Sequence, residues 1–432
     1  MWKSNMRLVV LGDSIQWGQG LKETNKIGSI VARMIEDRHK AKVDMKIYAH
    51  SGAISGFDNN GNEETYVREP LTVEPVGEVP SKYPTLIQEC ESIPDPETVD
   101  LVLMDFGIND VAIETILNPD TSAQQLSELI HQHFYANALK VLSRISEKFP
   151  NANIIVTGYY PIITKSTNLN DFVPLLLQAA PLVFGVGSFL ELTLGGMLPV
   201  LLGFLAGAIT GGVILDDKKD QIIANCKLFA TQSAVDLETA LEEHNNTVTS
   251  GQTVIAVFPW FEEDSALFAN RSLLWAIMVD AFSFAFNPLD HIEPIDEVAK
   301  ERMEACEGVQ LKDGDLQEGR LASAGHPNLA GARSYAFSIM SKLESNSEFG
   351  GVIGNKRTKE LHNLHCRMLK RMRFKNMVLF PKKGALMDTV AEAIDQGYDG
   401  CHYCMPEGYD LRYHTSKINN KCFSTVVVLL VA

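Results

Sequence analysis

Two stretches of the chain carry residues whose types and spacing can do chemistry. The first is "LGDSIQWGQG", residues 11–20, directly behind the apolar run "MRLVV". A strand ended by Gly12 and Asp13 would hold Ser14 out at its carboxyl end. A hydroxyl placed there becomes a nucleophile once a neighbouring base takes its proton. The competing reading is a tight turn whose serine caps a helix. The second is "LHNLHC" with "CHYC": His362 and Cys366 stand four apart, and Cys401 and Cys404 form C-x-x-C. Two close pairs of soft ligands joined by a loop is how tetrahedral zinc is caged. His365 is a rival imidazole, but it adjoins Cys366, and adjacent residues rarely close one sphere.

The elements that must position these residues are legible as apolar runs. "RLVVLG" reads as a buried strand, and "IGSIVARMIEDRHK" as a helix with its apolar face at Ile30, Val31, Met34 and Ile35. "KVDMKIYAHSG", "DLVLMDFGIND", "NANIIVTGYYP" and "GQTVIAVFPW" read as four further strands, with long helical stretches at 121–148 and 218–246. Strand alternating with helix predicts an α/β fold, a parallel sheet covered on both faces. In such sheets ligands bind outside the carboxyl ends of the strands. Ser14, Gly52 and Asn109 all fall just past predicted strand ends.

Composition limits the alternatives. The 432 residues are 45% hydrophobic and 21% charged, which suits packed cores rather than disorder. The formal net charge of −16 argues against a nucleic-acid binder along the whole chain. Residues 355–383, however, hold ten Lys/Arg and one Glu, a local +9 that marks a separate module. The seven cysteines are scattered and odd in number, so no disulfide framework is expected. No signal peptide is visible, and the expectation is a cytoplasmic protein with reduced thiols. The division expected is 1–349 and 355–432, joined through a linker in "SNSEFGGVIGN", with an insertion at 165–217.

That insertion is apolar. Between 172 and 215 only Glu191 is charged, and 192–215 alone is long enough to cross a bilayer core of about 30 Å. A single span would put two halves of one sheet on opposite sides of a membrane. The expectation is therefore an apolar lid or a hairpin dipping into lipid, either of which suits greasy substrates. The last stretch, "CFSTVVVLLVA", reads as a terminal strand too short to anchor.

"GDSI" at 12–15, "SGAIS" at 51–55, "GIND" at 107–110 and "GHPN" at 325–328 resemble the successive blocks of the SGNH (GDSL-type) hydrolase superfamily. They stand in family order and cover most of residues 7–345. The resemblance implies a flavodoxin-like three-layer α/β/α fold and a serine ester hydrolase needing no cofactor for its chemistry. It implies Ser14 as nucleophile and His326 as its base. It implies an oxyanion hole from the Ser14 and Gly52 main-chain N–H groups and the Asn109 side chain. The family also places an Asp three residues before the histidine, and here that position is Ser323. Either a Ser–His dyad suffices, or Asp313 or Asp315 folds back. The departure also leaves open a catalytically weak binding protein on the same fold. Asp13 is expected to bond backbone at the turn rather than to move protons.

The tail resembles the small metal-binding domain of Ada DNA-repair proteins over about 359–407, including "GY" before the C-x-x-C and a proline after it. The first ligand there is a methyl-accepting cysteine; here it is His362. The resemblance thus implies structural zinc held by His362, Cys366, Cys401 and Cys404, and no methyl transfer. The surrounding Lys/Arg of 355–383 could hold nucleic acid or anionic lipid, and a solvated basic face is as reasonable a reading.

Overall fold

Five of the apolar runs form strands: β1 (Asn5–Leu11), β2 (Lys42–Ile47), β3 (Leu101–Met104), β4 (Asn153–Thr157) and β7 (Val254–Val257). The computed structural model describes residues 2–64, 85–168, 209–210, 213–214, 216–248, 252–275 and 325–405. The five strands make one all-parallel sheet in the order β2-β1-β3-β4-β7. This is the 2-1-3-4-5 order of flavodoxin-like folds, with its reversal of direction between β1 and β3. β3 is buried along its whole length, as a strand covered on both faces must be.

The helices follow from the handedness of the crossovers. The connection β1–β2 runs one way along the sheet and all later ones run the other, so right-handed crossovers put their helices on opposite faces. Helix α2 (Ile27–His39) packs on α9 (Leu329–Ser345). On the other side α3 (Leu86–Glu91) packs on α7 (Asn137–Lys148), and α6 (Ala123–His131) and α7 pack on the long α8 (Asp216–Thr247). The expected face of α2 is correct: Ile30, Val31, Met34 and Ile35 are all buried. The expected helix at 121–148 is α6 and α7 joined by one π turn at Gln132–Ala136. Three short helices complete the loops past β1 and β3: α1 (Ser14–Trp17), α4 (Ile108–Val111) and α5 (Ile113–Leu117).

Of the apolar run 172–215, the described residues include only β5 (Ile209–Thr210) and β6 (Val213–Ile214), an antiparallel pair. The rest of that run, and the stretch "CFSTVVVLLVA", lie outside the described residues. Among the described residues no helix is long and apolar enough to cross a membrane.

A second sheet lies in the carboxy-terminal region, in the order β10-β8-β9-β11. Its strands are β8 (Phe349–Asn355), β9 (Glu360–His362), β10 (Met377–Pro381) and β11 (Asp399–Gly400), and α10 (Leu386–Asp395) packs on β8. The stretch expected as a linker is thus strand β8. Despite its glycines it pairs as a strand, because its apolar residues serve two cores. Phe349 and Ile353 join the main hydrophobic cluster, while Val352 packs with Leu361, Phe380 and Val390 in a smaller one. The basic segment is laid against the α/β body. Arg38 of α2 donates to the carbonyls of Phe374 (3.2 Å) and Met377 (3.0 Å).

Candidate functional site

Ser14 begins α1 directly after β1. The helix is capped by Asp13, not by Ser14: Asp13 Oδ1 accepts the Ile15 N–H at 2.9 Å, and a cap of this kind contributes about 1 kcal/mol. This leaves the Ser14 hydroxyl for another partner. His326, which stands just ahead of α9, brings its Nε2 to 2.7 Å from Ser14 Oγ. α9 itself is capped by Asn328, whose Oδ1 accepts from Ala330 and Gly331. The "GHPN" block therefore has two local jobs, presenting His326 and starting a helix. Ser323, Asp313 and Asp315, the positions tied to a third triad member, lie outside the described residues.

Gly52 lies in the turn after β2, and Asn109 lies in α4 after β3. The two turns are clasped. Asn109 Nδ2 donates to the Ala53 carbonyl at 2.9 Å, and Asp110 accepts both the N–H and the hydroxyl of Ser55. Neither the Ser14 nor the Gly52 main-chain N–H has a hydrogen-bond partner among the described residues. Asp110 is fully enclosed, and burial lifts its carboxyl to about 6. Beside it His133 donates Nε2–H to Asn59 Oδ1 (2.7 Å) and meets Asn137 Nδ2 at Nδ1 (3.2 Å). That pattern is a neutral imidazole, in accord with burial lowering it to about 4.

Beneath the turn that carries Ser14 sit three buried acids, of which only Asp13 is singled out by the sequence pattern. Asp105 Oδ1 accepts the Asp13 N–H at 2.8 Å, and Glu89 Oε2 accepts the Gly12 N–H at 2.8 Å. Tyr159 donates its hydroxyl to Asp13 Oδ2 at 2.6 Å. Burial raises all three carboxyls above their ordinary range, Asp105 and Glu89 strongly, with the neighbouring carboxylates adding to both. Gly12 is required by this packing. Its φ is +117°, and a Cβ there would stand 2.6 Å from the Asp105 carbonyl oxygen. The sequence held one signal for Asp105: an acid ending the apolar run "LVLMD". Glu89, inside a short amphipathic helix, held none. Asp13 bonds backbone, as expected of it.

The second site is a cage of His362, Cys366, Cys401 and Cys404, whose ligand atoms all lie within 4.8 Å of one another. Zinc–sulfur bonds of about 2.3 Å in a tetrahedron need sulfurs about 3.8 Å apart, which this set meets with small adjustment. The first three are buried, and His362 Nε2 is enclosed with no hydrogen-bond partner among the described residues. Cys366 is pulled down to about 4, first by its bond from Cys404 and then by His362. The donor set of three sulfurs and one imidazole suits a soft divalent ion. His365 is not in the cage; its ring Nε2 donates to the Arg271 carbonyl at 3.1 Å.

No family model and no curated protein matches the chain. Among solved structures it is similar to an extracellular lipase from Streptomyces rimosus, at 12% identity and a TM-score of 0.39, covering 78% of this chain and 99% of that one. It is similar to phospholipase A1 from Streptomyces albidoflavus, at 12% identity and a TM-score of 0.36, with the same coverages. A protein from Parabacteroides merdae described as GDSL-like is 10% identical, with a TM-score of 0.29, over 74% of this chain and 98% of that one. At these TM-scores the likeness carries nothing about activity, and what the site can do rests on its own geometry.

Proposed function

We propose that this chain is a serine ester hydrolase. One observation carries the reading: His326 Nε2 lies 2.7 Å from Ser14 Oγ at the carboxyl edge of the parallel sheet. Ser14 Oγ attacks the ester carbonyl carbon while its proton passes to His326 Nε2. The carbonyl oxygen gains negative charge. It is met by the Ser14 and Gly52 main-chain N–H groups and by the second N–H of Asn109, the first being held by Ala53. His326 returns the proton to the leaving alkoxide, and water, deprotonated by His326, releases the acyl group. The apolar run 172–215 points to substrates with apolar acyl chains. We further infer that the cage holds structural zinc.

The test is fluorophosphonate labelling of the full chain beside Ser14→Ala, with p-nitrophenyl esters of graded chain length. Labelling and turnover in the wild type only support the reading. A wild type that does neither, with and without detergent, rejects it.

A second reading has its own observation. Arg357, Arg371 and Arg373, with Asn355 and Asn376, line a cleft of about 310 Å³ in the basic module. None of the three guanidinium groups forms an ion pair with a described acidic residue. Guanidinium groups that line one cleft with no acidic partner among the described residues suit a phosphate-bearing polyanion. On this reading the chain is a binding protein that docks through the tail. Tight, salt-dependent oligonucleotide or anionic-vesicle binding without any ester turnover would favour it.

A further inference from the structure

The hydrogen bonds that fix His326 lead out of the sheet and into the metal cage. The His326 carbonyl accepts the Trp275 N–H at 2.8 Å, and the Gly325 N–H returns a bond to the Trp275 carbonyl at 3.0 Å. Two residues on, the Asn328 N–H donates to the Leu273 carbonyl at 2.9 Å, and its side-chain Nδ2 reaches the carbonyls of Ser272 and Leu274. A Cβ on Gly331 would stand 2.2 Å from that Leu273 carbonyl, so the loop is seated directly on the first turn of α9. The turn that carries His326 is therefore held by segment 271–275, together with Tyr160, whose hydroxyl donates to the Gly325 carbonyl at 2.8 Å.

That segment is held from the other side by the cage. His365 Nε2 bonds the Arg271 carbonyl at 3.1 Å, and Arg333 of α9 donates to the Leu364 carbonyl at 3.3 Å. Leu364 and His365 lie between two cage ligands, His362 and Cys366. The knuckle 362–366 is closed by its own bonds. Cys366 N–H donates to the Asn363 carbonyl, His365 N–H to Asn363 Oδ1, and Asn363 Nδ2 to the Cys404 carbonyl. Leu364 and Cys366 also share one apolar cluster with Trp275 and Tyr335. From cage to catalytic ring the path is continuous: ligands, His365, Arg271, Trp275, His326.

We propose that His365 is a positioning residue for hydrolysis, and that the 362–366 knuckle is a strut through which a bound zinc ion sets the turn carrying His326. This rests on the hydrolase and zinc readings above. The segment it braces is irregular backbone with few anchors: the Arg271 and Leu273 N–H groups donate to the Asp264 and Ser265 carbonyls, and the His365 bond holds the Arg271 carbonyl on the side of the cage. A knuckle closed by metal has few conformations; a released one lets 271–275 and then His326 drift. Displacement of a catalytic group by about 1 Å costs roughly 100-fold in rate.

The experiment measures four things on the full chain: zinc content, thermal melting, the pH profile of Ser14 labelling, and amide exchange at 271–275 and 325–328. His365→Ala is expected to keep one zinc and its melting transition while labelling about tenfold slower, with a displaced pH profile. His365→Gln, which keeps a side-chain N–H donor, is expected to recover most of the rate. Stripping zinc from the wild type should slow labelling by about as much as His365→Ala does and speed exchange in both segments, and stripping His365→Ala should add little. Wild-type labelling by zinc-loaded His365→Ala, or unchanged exchange on stripping, overturns the proposal. If the wild type never labels, the hydrolase reading has failed instead, and the exchange result alone decides the strut.

Discussion

His326 Nε2 meets Ser14 Oγ at 2.7 Å, although 312 residues separate them along the chain. A serine with an imidazole at hydrogen-bond distance, beside main-chain N–H groups without described partners, has the parts of an acyl-transfer site. Ser14→Ala should abolish fluorophosphonate labelling, and His326→Gln should slow it by roughly 1,000-fold or more. Asn109→Ala should cost about 100- to 1,000-fold in kcat, with a much smaller change in KM. Steady-state kinetics on one preparation of each variant check all three. Equal losses in KM and kcat for Asn109→Ala would make it a packing residue instead.

Gly12 tests the turn that carries Ser14. An alanine there is strained at φ +117° and drives a methyl into the Asp105 main chain. Gly12→Ala should lose about 3–5 kcal/mol of stability, read as the denaturation midpoint. Gly397 also has positive φ but open space around its Cβ position, so Gly397→Ala should lose only about 1–3 kcal/mol.

Asp105 should behave as a neutral acid. Its folded carboxyl is raised well above the unfolded value, chiefly by burial. Ionising it therefore opposes folding: its contribution is present below the unfolded pKa and is lost as pH rises through the folded one. Asp105→Asn keeps the acceptor for the Asp13 N–H and cannot ionise. The variant should gain on wild type as pH rises from the unfolded carboxylate value toward the folded one, measured by chemical denaturation from about pH 4 to 9. A variant that falls further behind at high pH would show that the charged form is the one the fold uses.

His133 works in the opposite sense. Burial lowers it from 6.5 to about 4, so the unfolded chain takes up a proton that the folded chain refuses. Its contribution to stability is present above pH 6.5 and is lost as pH falls toward 4, an amount of about 3 kcal/mol. The stability difference between wild type and His133→Gln should widen by that amount from pH 4 to pH 7. A constant difference would mean that His133 is charged in the fold.

The cage can be tested without any substrate. Purified protein should hold one zinc per chain, and Cys404→Ser should weaken binding by at least about tenfold in competition with a chelator. Cobalt substitution should give the intense visible bands of a tetrahedral site with thiolate ligands. Cys90, buried in α3 and far from the cage in sequence, is the control. Cys90→Ser should leave metal content unchanged.

Local order was readable from the residue pattern. The five strands, the face of α2 and the long α8 follow from apolar periodicity, which burial on two faces or one imposes directly on sequence. The C-x-x-C and H-x-x-x-C pairs were equally visible, because ligands from one turn must be close in sequence. What the tertiary structure alone decided is how distant segments meet. β8 looked like a glycine-rich linker until two cores closed on its two faces. Asp105 and Glu89 look like any surface acids in a string of letters, and become a buried pair only when β1 and α3 are brought against β3. The choice between His362 and His365 turned on which ring faces three sulfurs and which faces a carbonyl of the loop below. A sequence specifies which groups exist and the local shape that each favours. Which of them share a site depends on packing between elements hundreds of residues apart, and no local pattern encodes that distance.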